Sequence, residues 1–153
     1  MSGWLLDTNV LSELRRKQPA PAVVDFVAGL PLHRLHVSTV SFAEIRYGIE
    51  LLDDPERRAT LTHWLDHRLR PMFAGRVLPL CELTLLQWRL IIESGRKRGH
   101  TFSHPDVLIA ASAARHGLTV VTRNTGEFDM AGVAVVDPWQ APKREPPGRR
   151  RGV

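Results

Sequence analysis

The sequence contains little cysteine and no long apolar segment. Cys81 is the single cysteine among 153 residues, which excludes an internal disulfide and a thiolate-based zinc cluster. No apolar run reaches the length of about 18 residues that a membrane span needs, and no basic N-terminal region precedes a long apolar stretch, so we expect neither a span nor a secretory signal. These absences predict a cytoplasmic protein, in which any metal ion is held by oxygen or imidazole.

Positive charge is in moderate excess. Lys and Arg number 21 against 16 Asp and Glu, a formal net charge of +5. Arginine binds phosphate bidentately, so this excess favours nucleic acid or an acidic protein as a partner. Part of it lies in residues 141–153, where proline, glycine and charge leave almost nothing to bury. We therefore expect one domain over residues 1–140, followed by a disordered basic tail.

Apolar segments that read as strands alternate with segments of helical periodicity. The strands are expected at residues 4–6, 35–38, 77–80, 118–122 and 133–136. The helices are expected at residues 10–16, 19–29, 41–52, 54–70, 84–99 and 103–116, with a turn at 123–128. This alternation predicts an α/β fold with a central parallel sheet of about five strands and helices on both faces.

Polar side chains follow several of these strands. Asp7 comes directly after the first, Glu44 follows the second, and Asn124 and Glu127 follow the fourth. Asp106 begins the helix before the fourth strand and joins them only if that helix docks with its first turn over the same edge. Carboxylates gathered in one place repel one another unless a divalent cation lies among them. The pattern therefore predicts a Mg²⁺ (or Mn²⁺) site suited to phosphodiester hydrolysis.

Each of these acids also has an interpretation without chemistry. Asp7 is a good cap for the following helix. Ser41 and Glu44 fit a capping box, and Ser103 with Asp106 fits a variant of it in a first turn where the helix dipole favours a carboxylate. Caps explain one such residue well, but they do not explain why several converge.

Four motifs together resemble the PIN-domain ribonucleases and, more narrowly, the VapC-type toxins of bacterial toxin–antitoxin pairs. They are residues 5–9 (LLDTN), residues 42–48 (FAEIRYG), residues 105–111 (PDVLIAA), and residues 121–124 (VTRN) followed by Glu127 and Phe128. Each motif is weak alone, but their order and spacing extend over nearly the whole domain, from residue 5 to residue 139.

The resemblance implies a three-layer α/β/α fold and a metal-dependent endoribonuclease that acts on structured RNA as the toxin of a type II system. It also implies a homodimer and a cognate antitoxin. Carried over by position, Asp7 and Asp106 are the chief metal ligands, Glu44 is the third acid, and Asn124 and Glu127 complete the catalytic set. Thr8, Asn9 and Thr122 support the site. Asn124 stands where many relatives have Asp, which leaves open whether one or two metals act.

The sequence is also compatible with other functions. A non-catalytic PIN-like module that binds RNA or protein is the main alternative. A phosphatase of the haloacid dehalogenase class is less suitable, because Asn9 occupies the position of its general acid. His63 and His67 have the spacing of a metal pair, but no third ligand follows in the sequence.

Apolar residues near the second and third predicted helices also suggest self-association. They are Val24, Phe26, Val27, Leu30, Ile49, Leu51 and Leu52. We expect more apolar surface here than one small sheet face covers, which favours a symmetric homodimer.

Overall fold

The structure is a computed structural model that describes residues 3–140, and the expected basic tail lies outside this range. Within it, five parallel strands form one sheet in the order β3-β2-β1-β4-β5. The strands are β1 (Trp4–Leu6), β2 (Leu35–Ser38), β3 (Val77–Leu78), β4 (Thr119–Val121) and β5 (Val135–Val136). In the centre, Leu5 of β1 pairs with His36 on one side and with Val120 on the other. The predicted parallel sheet is confirmed.

Helices cover both faces of the sheet. They are α1 (Thr8–Arg15), α2 (Pro21–Ala28), α3 (Thr39–Glu50), α4 (Pro55–Trp64), α5 (Arg70–Met72), α6 (Glu82–Lys97), α7 (His104–His116) and α8 (Thr125–Met130). Successive side chains of a strand point to opposite faces, so the fully buried Leu5 and Leu6 enter different hydrophobic clusters. Leu5 packs in the cluster of α6 and α7, and Leu6 in that of α1 and α3. This is the predicted three-layer α/β/α arrangement.

Helix α3 begins earlier than the sequence suggested. Ser38 ends β2 and is itself the cap, since its hydroxyl accepts a 3.1 Å hydrogen bond from the amide of Val40. Ser41 lies inside the helix and is fully buried. The capping-box interpretation of Ser41 and Glu44 was therefore wrong, and the β-branched Thr39 and Val40 explain why this first turn was not recognised as helical.

The turn expected at residues 123–128 contains the short helix α8.

The helix expected over residues 54–70 is interrupted. A π-helical turn at Leu65–Leu69 separates α4 from α5, with the amide of Arg70 bonded to the carbonyl of Leu65. Pro71 follows this turn; it lacks an N–H, and in a regular helix its ring would clash with the carbonyl four residues earlier. The interruption thus lies directly before a proline that the interior of a regular helix would not accommodate.

Glycines shape the pair formed by α6 and α7. A Cβ added to Gly95 in α6 would lie 2.4 Å from Cε2 of Phe102, so only glycine allows this close approach. Gly117 ends α7 with φ of 64°, a left-handed conformation that lets the chain reverse into β4. Helix α7 thus runs back along the sheet, with its first turn beside the end of β4.

The apolar surface differs from the expected one. Ile49 is buried, Leu51 is 64% exposed, and the other apolar residues singled out near α2 and α3 are half-buried. Leu83, Leu86 and Leu90 of α6 are more than half exposed. No helix of the described part of the chain is long and apolar enough to cross a membrane.

Candidate active site

Asp7 lies where the central strand ends and is 3% exposed. Its backbone amide donates to the carbonyl of Val121 at 3.0 Å, which ties the end of β1 to the end of β4. The carboxylate caps α1: Oδ1 accepts from the amide of Thr8 at 2.7 Å, and Oδ2 accepts from the hydroxyl of Thr122 at 2.7 Å. Asp7 is therefore a helix cap, as the interpretation without chemistry predicted. Its side chain also lines an open pocket.

Burial raises the pKa of the Asp7 carboxyl from its ordinary value of 3.8 to about 6. The hydrogen bonds from Thr122 and Thr8 oppose this rise, and the charges of Asp106 and Glu44 add to it. Asp7, Glu44 and Asp106, which we call the acidic centre, therefore lie within electrostatic reach of one another, as predicted. A cation placed among them would offset the cost of their charges.

Glu44 faces Thr8 across the gap between α3 and α1. The Thr8 hydroxyl donates to Oε1 of Glu44 at 2.9 Å and lies 3.0 Å from the hydroxyl of Ser41. Partial burial and the charge of Asp106 raise the pKa of the Glu44 carboxyl. Ser41 is thus a supporting residue of the site that the capping-box interpretation concealed.

Asp106 reaches the centre from the first turn of α7. The Nδ2 group of Asn124 donates to its Oδ2 at 2.6 Å, which joins α7 to the loop after β4. Partial burial, with a contribution from the charge of Glu127, raises the pKa of Asp106 above its ordinary range. Asp106 was predicted to join the other acids only if the first turn of its helix docked over the same edge of the sheet. In the structure the helix docks in this way.

Thr122 and Asn9 connect the two halves of the site. The buried Thr122 hydroxyl donates to Asp7 and accepts from Nδ2 of Asn9 at 3.1 Å and from the amide of Asn124 at 3.0 Å. Asn9 also donates to Oδ2 of Asp7 at 3.3 Å, and its Oδ1 accepts from the amide of Arg123 at 3.3 Å. The predicted supporting residues therefore form one network around Asp7.

Glu127 lies at the margin of this network and has a partner that the sequence did not reveal. Nε2 of His100 lies 3.2 Å from Oε2 of Glu127, and the His100 ring packs edge-on against Phe102 with centroids 4.4 Å apart. His100 follows the end of α6 in a segment without periodicity. No local pattern therefore connected His100 with a residue of α8.

The donors of the acidic centre suit a hard divalent cation. Among residues 3–140, however, no three His, Cys, Asp or Glu side chains are spaced to hold one ion together. Mg²⁺ usually takes only one or two protein carboxylates and keeps several waters. The same finding leaves the pair formed by His63 and His67, whose rings lie 4.4 Å apart, without a third ligand in the described part of the chain.

The acidic centre opens into a pocket of about 950 Å³. Cationic side chains line it beside the acids: Arg15, Arg16, Lys17, Arg57 and Arg123. An anionic polymer that enters this pocket meets positive charge before it reaches the carboxylates. Arg15, Arg57 and Arg123 were not predicted from the sequence to be functional residues.

Comparison with known proteins agrees with this geometry. Residues 4–133 match the model of the PIN domain. The chain belongs to the PIN-domain family. Members of this family that are nucleases generally use divalent metal ions.

Named relatives are similar over nearly their whole length. Toxin FitB of Neisseria gonorrhoeae is 40% identical over 88% of this chain and 97% of its own. VapC ribonuclease Y4jK of Sinorhizobium fredii is 32% identical over 89% of this chain and 97% of its own. The crystal structure of FitAcB from Neisseria gonorrhoeae superposes with a TM-score of 0.86 at 39% identity, covering 90% of this chain and 99% of that one.

Proposed function

We propose that this PIN-domain protein is a Mg²⁺-dependent endoribonuclease whose chemistry takes place at the acidic centre. It is a ribonuclease of the VapC type and the toxin of a type II toxin–antitoxin pair. The observation that carries the site assignment is the convergence of Asp7, Glu44 and Asp106 at one sheet edge, on a pocket lined with arginine.

Asp7 and Asp106 would hold the ion, with Glu44 beside them. Their raised pKa values have burial as the first cause and mutual repulsion as a further one in Asp7, a cost that a bound cation reduces. Mn²⁺ has similar ligand preferences and would serve in its place. When bound here, such an ion lowers the pKa of a coordinated water and polarises the scissile phosphate.

The protein groups orient the reaction around that site. Thr8 donates to Oε1 of Glu44, which leaves Oε2 to accept a hydrogen bond from the attacking water. Thr122 and Asn9 hold Asp7 in place, and Asn124 holds Asp106. Glu127 supplies a further negative charge near Asp106. In-line attack by water would leave a 5′-phosphate and a 3′-hydroxyl.

The remaining assignments concern partners and surroundings. A cognate antitoxin neutralises the toxin, and RNA is the substrate. We place the nuclease domain in residues 1–140, with the basic segment 141–153 outside it. The protein acts in the cytoplasm, where its RNA substrates are found.

The protein also forms a symmetric homodimer, which is supported by the exposed side chains of Leu51, Leu83, Leu86 and Leu90. Sedimentation as a monomer at micromolar concentration would contradict this.

The test is cleavage of structured RNA in Mg²⁺ and in EDTA. Asp7→Asn and Asp106→Asn should each abolish Mg²⁺-dependent cleavage while the protein stays folded. Asp25→Asn is the matched control, because Asp25 is exposed on α2 and does not line the pocket. A wild-type protein that binds RNA but never cuts it would indicate the non-catalytic binding module instead.

A further inference from the structure

The pocket contains an arginine whose guanidinium lies over a tryptophan ring, and the chemistry described so far uses neither residue. The guanidinium of Arg123 lies 5.0 Å from the ring centroid of Trp139, and both line the pocket of the acidic centre. Arg123 is exposed, whereas Trp139 is half-buried and packs against the core cluster of α1 and α3. A partly buried indole thus supports an exposed cation at the mouth of the site.

Both partners are held in position. The amide of Arg123 donates to Oδ1 of Asn9, and Nδ2 of Asn9 donates to Oδ2 of Asp7, so Arg123 is only one residue removed from the acidic centre. The amide of Trp139 donates to Oδ1 of Asp137 at 2.9 Å, which fixes the turn after β5. The backbone that carries both side chains is therefore fixed by the fold.

The charge of Glu13 acts on Arg123, but no carboxylate in the described part of the chain is paired with the Arg123 guanidinium. Among residues 3–140, its guanidinium forms no ion pair with a carboxylate within 4.0 Å. By contrast, Arg16 on the same pocket is paired with Glu13 at 3.2 Å. A guanidinium without a carboxylate partner presents a planar fork of N–H donors, which matches the oxygens of a phosphate.

We propose that Arg123, oriented by Trp139, binds the backbone phosphate next to the scissile one. This rests on the proposed function, because it assigns a substrate subsite beside that acidic centre. The contact places the RNA strand relative to the acids, which cannot attract a phosphate by themselves. Arg123 is thus a substrate-binding residue, and Trp139 is a positioning residue that acts through it.

The first experiment measures affinity without chemistry. A short fluorescein-labelled RNA stem-loop is titrated in EDTA with wild type, Arg123→Ala and Arg89→Ala. Arg89 is the matched control, because it is also exposed and lies 5.7 Å over a tryptophan, Trp88, but outside this pocket. Arg123→Ala should bind about tenfold more weakly. Its slope of log affinity against log salt should fall by about 0.7–0.9, the loss of one phosphate contact, and Arg89→Ala should match wild type.

The second experiment locates the phosphate. Uncharged methylphosphonates replace the phosphates of the RNA one at a time around the mapped cut. At one position next to the cut, the substitution should weaken binding to wild type about tenfold and leave binding to Arg123→Ala unchanged. General electrostatic attraction would instead give similar small losses at every position.

Further variants separate the effect of the contact with Trp139 from the effect of the positive charge of Arg123. Arg123→Lys keeps the charge but loses the planar fork, so in Mg²⁺ its KM should rise while kcat stays near that of wild type. Trp139→Leu should behave in the same way if its thermal unfolding shows a folded protein. Equal affinities and salt slopes for Arg123→Ala and Arg89→Ala would overturn the proposal. Failure of wild type to cut RNA would contradict the proposed function, and the affinity measurements would then still decide whether Arg123 binds a backbone phosphate.

Discussion

The hydroxyl of Thr122 donates a 2.7 Å hydrogen bond to Oδ2 of Asp7, and both residues are buried where β4 and β1 end side by side. The donor is neutral, so it stabilises the carboxylate without cancelling its charge. Burial therefore still raises the pKa of Asp7 to about 6. The buried Asp7 carboxylate therefore lowers the stability of the metal-free protein when it is ionised, as expected for a group that binds a cation.

This cost predicts how stability depends on pH in the metal-free protein. The folded pKa of Asp7 is about 6 and its ordinary value is 3.8, so the folded state holds the proton more tightly. The contribution of Asp7 is then most favourable below about pH 4 and is lost as pH rises through about 6, by about 3 kcal/mol. Thermal unfolding in EDTA should show this loss in wild type and not in Asp7→Asn. An unchanged pH dependence in Asp7→Asn would contradict the assignment.

The contact between Asn124 and Asp106 gives a second prediction. Asn124→Asp replaces an amide donor, 2.6 Å from Oδ2 of Asp106, by another carboxylate. Repulsion should lower the Tm in EDTA, and Mg²⁺ should raise it by more than in wild type, because binding to the folded state alone stabilises it. Asn124→Ala is the control, since it removes the hydrogen bond without adding charge. If the Tm of Asn124→Asp is the same with and without Mg²⁺, this would be evidence against an ion at Asp106.

Because Ser38 and not Ser41 caps α3, substitutions of Ser38 and Glu44 should affect different properties, the first stability and the second catalysis. Ser38→Ala removes the cap and should cost about 1 kcal/mol of stability with little change in kcat. Glu44→Gln keeps the acceptor for Thr8, so its stability should change little, while kcat should fall about 100-fold or more if Glu44 orients the attacking water. Chemical denaturation and RNA cleavage measure the two effects separately. Wild-type cleavage by Glu44→Gln would remove that role.

The sequence predicted those parts of the site that depend on strand order. Asp7, Glu44 and Asn124 follow strands, and the carboxyl ends of parallel strands lie at one edge, so their proximity followed from the topology. Asp106 required the docking of a helix, which periodicity alone does not determine.

Other features depend on contacts between distant segments and leave no local pattern. His100 meets Glu127, and Arg123 meets Trp139, only after α6 and β5 have packed in place. The start of α3 was misplaced for a different reason, because Thr39 and Val40 favour strand locally and the packing of Val40 and Phe42 outweighs that preference.

The close approach at Gly95 provides the final prediction. In an exposed helical position, alanine is favoured over glycine by about 1 kcal/mol, and Gly48 of α3 is such a position, with no atom within 4 Å of an added Cβ. At Gly95 the same Cβ would lie 2.4 Å from the Phe102 ring and 3.2 Å from the carbonyl of His100. Gly48→Ala should therefore raise stability by about 0.5–1 kcal/mol, and Gly95→Ala should lower it by about 1–3 kcal/mol. Because Phe102 also packs on His100, the partner of Glu127, Gly95→Ala should in addition reduce cleavage below what its stability explains. Chemical denaturation and cleavage assays of both variants test this, and a stabilised Gly95→Ala would show that Phe102 has room to move.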